Sequence, residues 1–271
     1  MSVRETTLDL LAEHDALDQL VAPLAAAQWK LATPSPGWTV ADQIGHLAYF
    51  DTAAVVAITD PERFKDERDE LNRNSRSDPR GYDDLTLAAY RAMSSPTLLA
   101  SWRNGRAALI DAAAGLDDTT RVDWYGPSMS ARSFLTARQM ETWAHGQDIV
   151  DTVGGRRIPT DRLRNIAQLG VITRRWSYQI RLLPIPEGEV RVVLRAPSGG
   201  LWAWGPDKCA DVVSGGAEDF CLVVTQRRHL GDTSLVVDGA LATEWMLTAQ
   251  AFAGRSTDGP LAGSFALNPT R

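Results

Sequence analysis

The chain holds four histidines in 271 residues: His14, His46, His145 and His229. An imidazole is costly to bury without a partner, so one set among apolar helical neighbours calls for a reason. His46 lies in DQIGHLAYFD and His145 in METWAHGQDIVD, and both segments read as mid-helix. Glu141 precedes His145 by four residues, which puts a carboxylate and an imidazole on one helical face, a turn apart. Asp148, three residues further on, lies close to that face. Singly, these residues have plain explanations: Glu141 and His145 as a surface i,i+4 pair, His46 as a satisfied core histidine, Asp148 as a helix-end carboxylate. Together, two imidazoles and a carboxylate are the set that holds a divalent ion with a coordination position left open. Zinc, nickel and iron(II) all accept such ligands, and two histidines with one carboxylate is also an iron-oxygenase pattern. Asp148 is then the candidate to accept a hydrogen bond from a ligand histidine.

The remaining reactive side chains point elsewhere. His14, between Glu13 and Asp15, reads as a surface group, and His229, in RRHLGD, as a loop residue. Cys209 and Cys221 lie far from the metal motifs in sequence, so no protein-borne thiol nucleophile is indicated. One bridge between them is conceivable, with reduced thiols as the cytosolic default. The chain lacks GxxxxGK[ST], GxGxxG and GxSxG, which removes support for nucleotide-dependent and serine-hydrolase readings.

Helices must position these groups. The N-terminal two-thirds reads as helical: Glu5 to about Val21, a short piece after Pro23 to about Trp29, and a helix opened by the capping box Thr39-Val40-Ala41-Asp42 and running to about Ile58. Between the last two, TPSPGW (33–38) is a turn cluster. A charged helix over 61–74, a segment over 84–115 broken near Pro96, and helices over 130–152 and 160–182 follow. Such helices with mostly short connections suggest an antiparallel bundle. After Pro186 the texture changes to strands at 189–196, 201–204, 208–213 and 234–237, with helices over 217–228 and 240–252 and a loosely structured end. The expected fold class is therefore α+β: a helical domain over 1–185, then a small α/β domain over 186–271.

Composition narrows the partners. With 34 acidic against 28 basic residues and a net charge of -6, a nucleic-acid footprint has no support. No apolar run approaches the roughly 20 residues that span a bilayer. MSVRETTLDLL has no apolar h-region and does not read as a signal peptide, so a cytoplasmic location is expected. Nine tryptophans read mainly as packing residues, with a minority free to line a pocket.

PGWTVADQIGHLAYFD resembles the second helix of the DinB-like metal-binding proteins, most of all the branch containing mycothiol-dependent maleylpyruvate isomerase. ETWAHGQD is similar to that branch's second motif at Glu141, His145 and Asp148. The segments WGPDKCADVV and TQRRHLGDTSLVV resemble a largely uncharacterised actinobacterial subfamily of it. The resemblance implies a DinB-like four-helix bundle followed by a sterol-carrier-like α/β domain. It also implies a metal, zinc in the best-known case, held by His46, Glu141 and His145. The activity implied is addition of a low-molecular-weight thiol, mycothiol in actinobacteria, to a small electrophile, as an isomerase or an S-transferase. Arg227, in a helix-ending Gln-Arg-Arg, matches a functional arginine of the isomerase, which there has a Gly-Arg ending. It is the candidate to bind thiol or substrate, with a helix-dipole role as the plain alternative. DinB-like bundles often pair, which leaves room for a homodimer. Two other functions stay open: a metal-containing carrier of an apolar or acyl ligand, and a metal-dependent hydrolase.

Overall fold

The computed structural model describes residues 2–77 and 81–265, and the chain divides into two compact units, Met1–Arg157 and Ile158–Arg271. In the first, helices α1 (Val3–Val21), α2 (Val40–Thr59), α5 (Ser95–Ala113) and α6 (Ala131–Val153) pack on one another as the bundle. α3 (Pro61–Ser77) and α4 (Gly81–Arg91) lie against α2. A two-residue hairpin, β1 (Arg121–Val122) with β2 (Met129–Ser130), leads into α6. Its two-residue strands are too short to show alternation in the sequence.

Local chemistry fixes the ends of the helices that matter. Thr39 Oγ1 accepts from the Asp42 amide and Asp42 Oδ2 accepts from the Thr39 amide at 2.8 Å, the capping box expected for α2. Asp42 also takes a 2.7 Å bond from Arg91 Nε, tying the start of α2 to α4. Gly45 brings these helices together, because a Cβ there would meet Tyr90 Cβ at 3.0 Å. Ser130 caps α6, and Gly154 ends it at φ 68°, a conformation that suits glycine.

The second unit is a mixed sheet with helices. β3 (Arg191–Arg195) pairs antiparallel with β4 (Leu201–Trp204) and parallel with β5 (Val212–Gly216), and β6 (Val236–Asp238) is antiparallel to β5. The strand expected over 208–213 thus starts later and runs into α9 (Ala217–Val224). The helix expected over 160–182 is two, α7 (Leu163–Ile172) and α8 (Arg174–Gln179), and α10 covers Ala240–Thr248. Composition placed a boundary near residue 185, whereas the units divide after Arg157. The reason lies at Gly170, where a Cβ would come within 2.8 Å of Val224: α7 packs on α9 by close backbone approach. Neither cysteine is in a disulfide; Cys209 Sγ donates to the Glu189 carbonyl and Cys221 Sγ to that of Leu163. No helix of the described residues is long and apolar enough to cross a membrane.

Candidate metal centre

α2 and α6 bring His46, Glu141 and His145 together, with one donor atom of each within 4.8 Å of the others. Glu141 Oε2 lies 3.1 Å from His145 Nε2 and 3.7 Å from His46 Nε2, and the two imidazole rings are 4.4 Å apart. Two turns of helix thus deliver three donors to one point. Burial, then repulsion from His145, pushes the His46 imidazole down to about 4, against the pull of Glu141. It is neutral at pH 7, with a lone pair to offer. Burial opposes ionisation of Glu141, but the two histidines overcome it and hold the carboxyl well below its ordinary range.

The orientation of His145 comes from Gln43, fully buried one turn before His46 on α2. Gln43 Oε1 faces His145 Nδ1, while its Nε2 donates at 2.9 Å to Thr33 Oγ1, a hydroxyl that gives its own hydrogen to the Trp38 carbonyl at 3.0 Å and so is left to accept; this orients the amide with its oxygen towards the ring, accepting from Nδ1. With Nδ1 as donor, the lone pair of Nε2 faces a carboxylate oxygen. A divalent ion shared by the imidazole nitrogen and the carboxylate oxygen, 3.1 Å apart, would satisfy both acceptors. The donor set and this contact fit a divalent ion held by His46, Glu141 and His145.

Gln43 was not singled out from the sequence, although its i,i+3 relation to His46 was available as a signal. Asp148, the candidate for that role with a plain helix-end carboxylate as the alternative, has its Oδ2 4.0 Å from His145 Nδ1, beyond hydrogen-bond reach, and accepts from Ser35 Oγ at 3.1 Å.

Aromatic rings frame the centre. Trp38 stacks on His145 at 5.8 Å between centroids, tilts against His46 at 5.1 Å, and donates from Nε1 to Asp83 Oδ2 at 2.8 Å. Phe50 lies 4.6 Å from the His46 ring and also meets Tyr82, Trp124 and Tyr125.

His14 overturns the surface reading. It is fully buried, its Nε2 lies 3.6 Å from Asp51 Oδ2, and Arg138 Nη2 holds Asp51 Oδ1 at 2.9 Å. Both His14 nitrogens and Asp51 Oδ2 lack hydrogen bonds among the described residues. Burial is the main cause that pushes the His14 imidazole down to about 4, against the attraction of Asp51. Its acidic neighbours in sequence misled because α1 turns them away from the ring: Glu13 lies near Arg157, and Asp15 pairs with Arg106.

In the second unit, Arg227 follows α9 and its Nη1 donates to the Thr225 carbonyl at 2.7 Å. His229 caps a turn, its Nδ1 accepting from the Gly231 amide at 3.0 Å.

Comparison with known proteins agrees with this architecture. Residues 10–150 match the family model described as "Mycothiol maleylpyruvate isomerase N-terminal domain". Uncharacterized proteins from two Mycobacterium tuberculosis strains are 46% identical over 246 residues, covering 91% of this chain and 94% of theirs. Among solved structures, the mycothiol-dependent maleylpyruvate isomerase superposes with a TM-score of 0.56 at 18% identity, covering 88% of this chain and 93% of its own. A histidine-to-alanine mutant of that isomerase gives 0.55 at 18% identity, covering 84% and 90%. At that identity the likeness is one of fold.

Proposed function

Because the chain belongs to the family defined by the mycothiol maleylpyruvate isomerase N-terminal domain, we propose that it is a cytoplasmic metal-dependent enzyme that adds a low-molecular-weight thiol, mycothiol in the first instance, to a small electrophile. The observation that carries the reading is the convergence of His46, Glu141 and His145 donors within 4.8 Å. Zinc suits this set, since catalytic zinc takes three protein ligands and keeps the fourth position open.

A free thiol has a pKa of about 8.5 and is mostly protonated at pH 7. When bound, a divalent ion supplies the positive charge that keeps a ligating thiol ionised. The chain's own residues do the rest. Gln43 holds the His145 tautomer, Trp38 sets a flat apolar face against both imidazoles, and Glu141 contributes a negative charge that favours cation binding. The resemblance of Arg227 to the isomerase's functional arginine is what supports a thiol- or substrate-binding role for it, and Asp148 accepts from Ser35 beside His145. The product is either the thioether or, after elimination, an isomerised alkene.

The test is metal content by elemental analysis with thiol-dependent turnover of an activated-alkene and epoxide panel. About one zinc per chain is expected, lost in His145→Ala and Glu141→Ala, with turnover that requires the thiol. Protein that takes up no divalent metal on titration overturns the reading. Turnover of ester or amide substrates without thiol would replace it with metal-assisted hydrolysis.

A further inference from the structure

Residues 253–259 of the second unit are exposed, yet they are firmly tied down. Thr257 engages all of its polar groups. Its amide donates to Gln250 Oε1 at 3.2 Å, and its hydroxyl donates to Gln226 Oε1. Its carbonyl accepts from Gln226 Nε2 at 2.7 Å and from Arg181 Nη2. Gln226 Nε2 also donates to the Ala249 carbonyl at 3.0 Å, and the Ala251 amide donates to that of Val224 at 2.8 Å. Further along, the Gly263 amide donates to Asp232 at 2.7 Å, and the Arg228 guanidinium lies 4.1 Å from the centre of the Phe265 ring. Residues 249–265 therefore form a strap fastened at both ends of the loop 226–232, which carries Arg227.

Gln226 is also where the backbone turns. Its amide donates to the Val223 carbonyl at 2.9 Å, and those of Arg227 and Arg228 donate to the Leu222 carbonyl at 2.8 and 3.2 Å, a Schellman ending for α9. The turn sets Gln226 at φ 58°, in the left-handed region. Glycine is the usual occupant of this position, and a side chain disfavours the conformation by roughly tenfold. Such strain persists only where the surroundings outweigh it. Here they are the three hydrogen bonds of the Gln226 side chain, and all three end on the strap. The strap backbone also packs on this residue, since a Cβ at Gly259 would meet Gln226 Cβ at 3.1 Å.

We propose that the strap and the Arg227 loop form one two-state device, with Gln226 as its latch. While the strap is down, its bonds to Gln226 offset the strain, and the left-handed turn keeps Arg227 and Arg228 folded back on Leu222. When the strap lifts, the offset is lost and Gln226 relaxes out of the left-handed region. The chain then leaves the end of α9 in another direction and carries Arg227 with it. Any ligand that Arg227 holds in the closed arrangement keeps the strap down by linkage. The device lies wholly within the second unit and is independent of the thiol-addition reading.

The experiment follows amide hydrogen exchange by NMR in the full chain, comparing wild type, Thr257→Val, Gln226→Gly and the double variant. Thr257→Val removes the hydroxyl that donates to Gln226 and keeps the shape of the side chain. It should lower protection at the Ala251 amide by about tenfold, and at Arg227 and Arg228 by a similar factor. Gln226→Gly also frees the strap, but glycine holds the turn without strain. Ala251 should therefore lose protection in that variant while Arg227 and Arg228 keep theirs, and adding Thr257→Val should not change this. The β3 amides of Val192 and Leu194 report global unfolding and should stay as in wild type. Unchanged protection at Arg227 in Thr257→Val overturns the proposal. So does equal loss at Arg227 with and without Gln226→Gly, or a loss at β3 that matches the loss in the strap.

Discussion

Two histidine–carboxylate groupings lie within five residues of each other along α2, and they have opposite characters. At His46, a carboxylate from α6 and a second imidazole converge with no lysine or arginine ion-paired to them among the described residues, and the side chains keep some exposure, 16% for His46 and 22% for Glu141. At Asp51, the carboxylate faces His14 but is already bound by Arg138, and the whole cluster is sealed. The ingredients are nearly the same. What separates a candidate metal centre from a strut is whether the protein supplies its own cation and whether the donors can be reached. Arg138 does for Asp51 what an ion would do for Glu141.

The comparison breaks first at the metal centre. His145→Ala or Glu141→Ala should abolish zinc retention after gel filtration, while Asp51→Asn keeps it in the folded protein; equal loss in all three would mean that the two groupings are one. Next in size is the strut. Arg138→Met leaves Asp51 buried and unpaired, a change that costs about 3–5 kcal/mol. Denaturant midpoints should show it, and the Asp51→Leu/Arg138→Met double variant should recover much of the loss. Gln43→Ala comes third: it should weaken zinc affinity by about 10- to 100-fold without a comparable loss of stability, measured by competition with a chromophoric chelator. Asp148→Asn, tested alongside it, should change affinity by less than about threefold given the 4.0 Å gap to His145.

The last effect is a slope. The His14 imidazole titrates near pH 4 in the folded chain and at its ordinary value of 6.5 when unfolded. Between those values the unfolded state binds more protons, so stability rises with pH across that window and its loss on acidification is complete below about 4. His14→Gln should flatten the dependence of unfolding free energy on pH there by up to about one proton. A slope unchanged by the substitution would show that His14 is not sealed as described.

Half of the candidate centre's geometry was legible because helical spacing is nearly rigid: four residues separate Glu141 from His145 whatever surrounds them. His46 could be joined to that pair by composition and family likeness, yet nothing in spacing says which helix faces which. His14 was illegible for the same reason. A histidine between two acids looks solvated until α5 and α6 supply Trp102 and Arg138 around it. Gln43 escaped because an uncharged amide carries no signal of its role until its two ends find Thr33 and His145. In the second unit the change of texture near 185 was real, since the first strand of the mixed sheet follows it, but texture does not report packing. α7 looks like a bundle helix and buries its glycine against α9 instead.

One helix serves as the ruler for nearly everything above. Gln43, His46 and Phe50 occupy positions i, i+3 and i+7 of α2, a single stripe, with Asp51 turned about 100° from Phe50 towards the interior. Because that helix starts from a box at Thr39 clamped by Arg91, its angular setting has a fixed zero. Insertion or deletion of one residue between Thr39 and Gln43 would rotate His46, its aromatic screen and the strut together, preserving their mutual order while aiming all of them at the wrong neighbours. The same change between His46 and Asp51 would instead split His46 from the strut, so that the bundle could satisfy one and not both. Length variation in this family should therefore be excluded from this stretch and tolerated in the charged helix beside it.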